Sequence, residues 1–101
     1  MKIKVYRILV PATTNDNNEF SIEHHQVWDK FVRKLVGGVT IMKSAKGQWL
    51  NSDGILYMDK MIPCDINCTK KQIKAIADFT KKHYNQEKIA YYKISNGMKF
   101  I

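Results

Sequence analysis

The chain has 101 residues, with 17 Lys and Arg against 9 Asp and Glu, for a formal net charge of +8; 45% of its residues are hydrophobic and 11% aromatic. This is the composition of a folded domain rather than a disordered tail, and at this length about 65% of the unfolded surface goes into one core. A single domain over residues 1–101 is therefore expected, which excludes a solenoid or a two-domain cofactor-plus-substrate enzyme, and no apolar run approaches the ~18 residues of a membrane helix.

The first element predicted is a strand over residues 2–10 (KIKVYRILV), rich in β-branched residues and closed by Pro11. A polar loop, ATTNDNNE over residues 12–19, follows; long loops of this kind serve function or move. Ser21 is a good N-cap with Glu23 in the first turn, so a helix is expected to about Val36, with His24, Trp28, Phe31, Val32 and Leu35 on its apolar stripe. Gly37-Gly38 stops it. Residues 39–43 (VTIMK) form the second strand, Asn51-Ser52-Asp53-Gly54 marks a hairpin turn, and residues 55–66 form the third strand, bent near Pro63.

Thr69 and Gln72 fit a capping box that opens a second helix to about Tyr84. Its apolar stripe is Ile73, Ile76, Ala77, Thr80 and Tyr84, and lysines fill the rest. Residues 89–94 (IAYYKI) make the fourth strand, and Asn96-Gly97 signals a tight turn that brings residues 98–101 back as a short fifth strand. The order β-α-β-β-α-β is the split βαβ, ferredoxin-like arrangement: an α+β protein with two helices on one face of an antiparallel sheet. Several strands carry apolar or aromatic residues on both parities, such as Ile55 and Tyr57 against Leu56 and Met58. A two-layer fold cannot cover both sheet faces, so a homodimer or higher oligomer through the open face is expected.

From Trp28 onward the chain resembles a family of small bacterial proteins known only as a domain of unknown function. The pattern is Trp28-x-x-Phe31, Gly38-Val39-Thr40, Gly47-Gln48-Trp49 and Gln86-Glu87-Lys88-Ile89. The resemblance implies the same split βαβ topology and supplies no reaction and no catalytic residues. Many members of that family look like exported lipoproteins. Here the N-terminus alternates Lys and Ile without a leader's apolar region, so a cytoplasmic protein is expected. The family also tends to carry an acidic residue after the central hairpin, where this chain has Asp59.

The two cysteines, Cys64 and Cys68, are too few for a disulfide framework, and with His24, His25 and His83 they match no zinc spacing. No metal, cofactor or catalytic constellation is predicted, and Gly37-Gly38-Val39-Thr40 lacks the lysine and spacing of a phosphate loop. The excess of lysine points outward, to an anionic partner. With only Arg7 and Arg33 to make planar forks, a small nucleotide-like anion is favoured over nucleic acid. The residues expected to hold it are Lys43, Lys46, Gln48, Trp49 and Gln86, with His24 or His25 from the first helix. A non-enzymatic oligomer is expected, of the kind phages and mobile elements use to sequester a host defence signal. The alternative is a nucleic-acid module built on Lys70, Lys71, Lys74, Lys81 and Lys82 of the second helix.

Overall fold

The computed structural model describes residues 2–101. Strand β1 (Ile3–Pro11) leads to helix α1 (Ile22–Val36), two short strands β2 (Thr40–Ile41) and β3 (Ala45–Leu50), a long strand β4 (Leu56–Thr69), helix α2 (Lys70–His83) and strand β5 (Tyr91–Ser95). β1 and β4 lie side by side at the centre, antiparallel, with Arg7 opposite Asp65 and Ile8 opposite Cys64. β5 pairs with the outer edge of β1, and β2 and β3 both pair with β4. Taken as one interrupted strand, β2 and β3 complete the ferredoxin-like order.

The helix ends follow from their caps. Ser21 accepts from the His24 N–H, Gly37 closes α1 at φ 94°, and Thr69 and Gln72 exchange the two bonds of a capping box. Both helices pack on one sheet face. Tyr6, Ile8 and Val10 of β1 and Cys64, Ile66 and Cys68 of β4 meet Trp28 and Val32 of α1 and Ile73, Ile76 and Ala77 of α2. Each isoleucine buried fully there, such as Ile8, Ile66 or Ile73, contributes about 1.5–3 kcal/mol of transfer free energy. Trp28 is buried with its Nε1–H donated to Thr80 Oγ1 at 2.8 Å. Both cysteines are free and buried in this core. Among the described residues no helix is long and apolar enough to cross a membrane.

Three expectations are corrected. The third strand, expected over residues 55–66 with a bend near Pro63, runs from Leu56 on to Thr69 as a central strand. Pro63 accepts from the Met42 N–H at 3.0 Å, and a residue's N–H and C=O point to the same neighbour in an antiparallel ladder. Its missing N–H therefore falls on the edge strand, where β2 stops and β3 begins. The expected five-residue second strand is accordingly two residues, Thr40–Ile41. The C-terminal hairpin strand does not form: residues 98–101 pair with nothing. A type I′ turn needs positive φ at both central residues, and of Asn96 and Gly97 only Gly97 has it, at 156°. The Ser95 hydroxyl instead bonds to Gly97 N and O, at 3.4 and 3.0 Å.

Candidate functional site

The β3–β4 hairpin projects past the helices, so both its faces are exposed. Its turn is held by Asn51, whose Oδ1 accepts from Asp53 N and Ile55 N at 3.0 and 2.9 Å, with Gly54 at φ 78°. That turn sets the register: Leu50 faces Leu56, Trp49 faces Tyr57 and Gly47 faces Asp59. Trp49 and Tyr57 thus stand directly opposite each other on neighbouring strands, 51% and 52% exposed. A Cβ on Gly47 would stand 2.5 Å from the Met61 methyl, the movable end of that side chain, and 3.1 Å from the indole nitrogen.

Beside this pair opens a groove of about 750 Å³. The polar loop walls a second side with Thr13, Thr14, Asn15 and Asn17, and residues 86–90 wall a third with Gln86, Lys88, Ile89 and Ala90. The loop is built, not loose. Thr14 Oγ1 accepts from the Asp16 and Asn18 amides, Asn17 takes φ 64°, and Thr13 bridges to Glu19. Ala12 N donates to Lys60 O and Phe20 N to Ala12 O, at 3.0 and 3.3 Å, tying both loop ends to the body. The third wall follows α2 through Asn85 at φ 52°, and Gln86 Nε2 donates to the Tyr84 carbonyl at 3.1 Å. A smaller hollow of about 460 Å³ shares Thr13, Asn17, Met58, Asp59 and Lys60 with the groove and adds Glu19, Ser44, Ala45 and Lys46. Lys60 is in a loose ion pair with Glu19 at 3.6 Å.

Of the residues expected from sequence, the structure brings Trp49 and Gln86 to the groove and Lys46 to the adjoining hollow. Gln48 is exposed on the opposite face of the hairpin from Trp49, one residue out of phase. Lys43 is exposed in the break between β2 and β3. Neither lines the groove.

His24 and His25 lie in the helical layer and do not line it either. His24 stacks on His83 at 3.8 Å, and each ring's Nε2–H donates to the other residue's carbonyl at 2.7 Å. The Tyr84 hydroxyl shares a 2.6 Å hydrogen bond with His25 Nδ1. Burial pushes the Tyr84 phenol above its ordinary range and lowers the affinity of His25 for a proton, offset in part by Asp29. Tyr57, Asp59, Lys60 and Lys88 are wall residues that sequence reasoning did not select. The signal for Tyr57 was present, since the Asn51–Gly54 turn places it opposite Trp49.

No protein-family model matches the chain, and no curated protein aligns with it significantly. Solved structures do match in fold. A phage SAM lyase in complex with S-methyl-5′-thioadenosine superposes with a TM-score of 0.70 at 16% identity, over 96% of this chain and 84% of that one. The divalent cation tolerance protein CutA1 from Oryza sativa gives 0.70 at 13%, over 99% and 84%. The periplasmic divalent cation tolerance protein CutA from Archaeoglobus fulgidus gives 0.67 at 14%, over 97% and 87%. At these identities the likeness is one of fold, and it agrees with the ferredoxin-like α+β architecture described above.

Proposed function

We propose that the protein is a self-associating binder of a small nucleotide-like anion, held in the groove between the polar loop, the hairpin and residues 86–90. The observation that carries this reading is the exposed Trp49–Tyr57 pair facing a rim of amides and lysine. An exposed aromatic side chain takes a base by stacking, worth about 1–3 kcal/mol per base. Asn15, Asn17 and Gln86 offer amide groups to a base edge or ribose, and Lys88, with Lys46 in the adjoining hollow, offers charge to an anion. The ligand carried by the phage enzyme of the same fold is a nucleoside, which favours this class of occupant. Sequestration of such a signal, as an accessory protein of a phage or mobile element would do, is the role we assign.

Self-association is supported by the open sheet face. There Arg7 and Asp65 make a bidentate pair at 2.7 and 3.1 Å, Tyr92 lies opposite Arg7, and Ile3 and Tyr92 are about half exposed. On the same face Asn67 Oδ1 is buried without a donor, which a second copy covering the face would supply.

Calorimetric titration with 5′-AMP, ADP-ribose and S-methyl-5′-thioadenosine tests the reading. Binding of the nucleotides, weakened about tenfold or more by Trp49→Ala, is expected; no heat with any of the three refutes it. The likeness to a SAM lyase favours a second reading, turnover of S-adenosylmethionine at the same groove. Appearance of S-methyl-5′-thioadenosine on incubation with S-adenosylmethionine would select that reading; nucleotide binding with S-adenosylmethionine unchanged selects the first.

A further inference from the structure

All three histidines of the chain meet at one place, where α1 begins and α2 ends. His24 and His83 stack face to face and exchange backbone hydrogen bonds, and His25 holds the Tyr84 hydroxyl. The stack extends on both sides. Phe20 lies parallel to His24 at 5.0 Å, and Phe79 parallel to His83 at 5.3 Å. Phe20 also meets the Tyr84 ring edge-on at 4.9 Å. Phe20 closes the polar loop through its amide bond to Ala12, and the Tyr84 carbonyl holds the side chain of Gln86. The cluster therefore grips the root of one wall with each hand.

We propose that this three-histidine cluster is an acid-sensitive latch, which holds the polar loop and residues 84–90 in the shape of the groove while its imidazoles are neutral and releases them when they take up protons. The inference rests on the groove being the binding site. Imidazole is the side chain whose ordinary titration falls in the physiological range, and two cations stacked at 3.8 Å repel. At His25 the protonated ring has N–H on both nitrogens, so the Tyr84 hydroxyl can then only accept from Nδ1. The groups around the cluster do little to neutralise such charge. Asp29 on α1 is the carboxylate that acts on His25. Cys64 from β4 and Tyr84 from the end of α2 face the same interior, and burial holds both neutral, the thiol pushed up to about 12. Lys81 and Lys82 in the last turn of α2 add charge of the same sign as protonated histidine.

Amide hydrogen exchange on the ligand-free full chain tests the latch without reference to any ligand. Between about pH 7.5 and pH 5.5, after correction for intrinsic exchange, the Phe20 and Gln86 amides should lose about tenfold or more of their protection. The amides of β1 and β4 should keep theirs. In the triple variant His24→Gln, His25→Gln and His83→Gln, whose side chains still donate N–H, the loss should be abolished. No loss in the wild type, or an equal loss in the variant, overturns the proposal. Should the variant not fold, the wild-type imidazole titrations by nuclear magnetic resonance decide instead. Protection must fall along the same curve as the cluster histidines, and a mismatch overturns it. Nucleotide binding at neutral pH with no pH-dependent exchange refutes the latch alone, whereas pH-dependent exchange with no binding at any pH refutes the groove as the binding site.

Discussion

Thr80 holds the polar end of the largest core side chain. It accepts from Trp28 Nε1 at 2.8 Å and donates onward to the Ile76 carbonyl at 2.6 Å, fully buried. Thr80→Val keeps the shape and deletes the acceptor, leaving the indole N–H without a partner. Urea unfolding should show a loss of about 1–3 kcal/mol, and Thr80→Ser, which keeps the hydroxyl, should recover most of it. A Thr80→Val protein as stable as the wild type would show that the hydroxyl is dispensable. His25 makes a second residue-scale prediction. Its proton affinity is lowered first by burial, so the folded state favours the neutral ring over what the unfolded chain would carry. The resulting stability is present above the ordinary histidine value of about 6.5 and is lost as pH falls below it toward the lower folded-state value. Thermal midpoints measured at stepwise lower pH should decline in that window, and less steeply in His25→Gln.

At the scale of elements, the hairpin joins fold to site. Asn51 and Gly54 shape its turn, and the turn sets Trp49 opposite Tyr57. Gly54 sits at φ 78°, so Gly54→Ala should cost about 1 kcal/mol through backbone strain. Because the hairpin is exposed on both faces, that cost should fall on its local order. Cross-strand nuclear Overhauser contacts between Trp49 and Tyr57 should weaken while the thermal midpoint moves little. An unchanged contact pattern would show that pairing, not the turn, sets the register. Both helices were legible from the sequence because their signals are local: Ser21, Gly37 and the Thr69–Gln72 box lie within a turn of the ends they define. The place of Pro63 was not, since a proline inside a strand reads as a bend until its neighbour is known, and here the gap falls on the break between β2 and β3. Of the site, the Gly47-Gln48-Trp49 motif and Gln86 were legible as unusual residues. Trp49 and Gln86 meet there only because of how far the hairpin projects and where the polar loop folds back. The meeting of the three histidines was not legible, because only the packing of α1 against α2 sets His83 on His24.

For the molecule as a whole, the net charge of +8 and the open sheet face pull in opposite directions. Copies that meet through that face must bring like charges together, and added salt screens the repulsion. Self-association should therefore strengthen from low to moderate salt. Binding of nucleic acid through Lys70, Lys71, Lys81 and Lys82 would instead weaken, by about 0.7–0.9 log units per log unit of salt for each phosphate neutralised. Sedimentation velocity with salt varied separates the two. The wild type should sediment as a multiple of 11.8 kDa, more completely as salt rises. Ile3→Lys with Tyr92→Lys, both on the open face and half exposed, should return it to a single chain. Neither side chain is part of the core, so the thermal midpoint of that variant at low concentration should stay close to that of the dissociated wild type. A wild-type chain that stays at 11.8 kDa under all of these conditions would mean that the open face is left to water, with the Arg7–Asp65 pair at its centre serving as its polar surface.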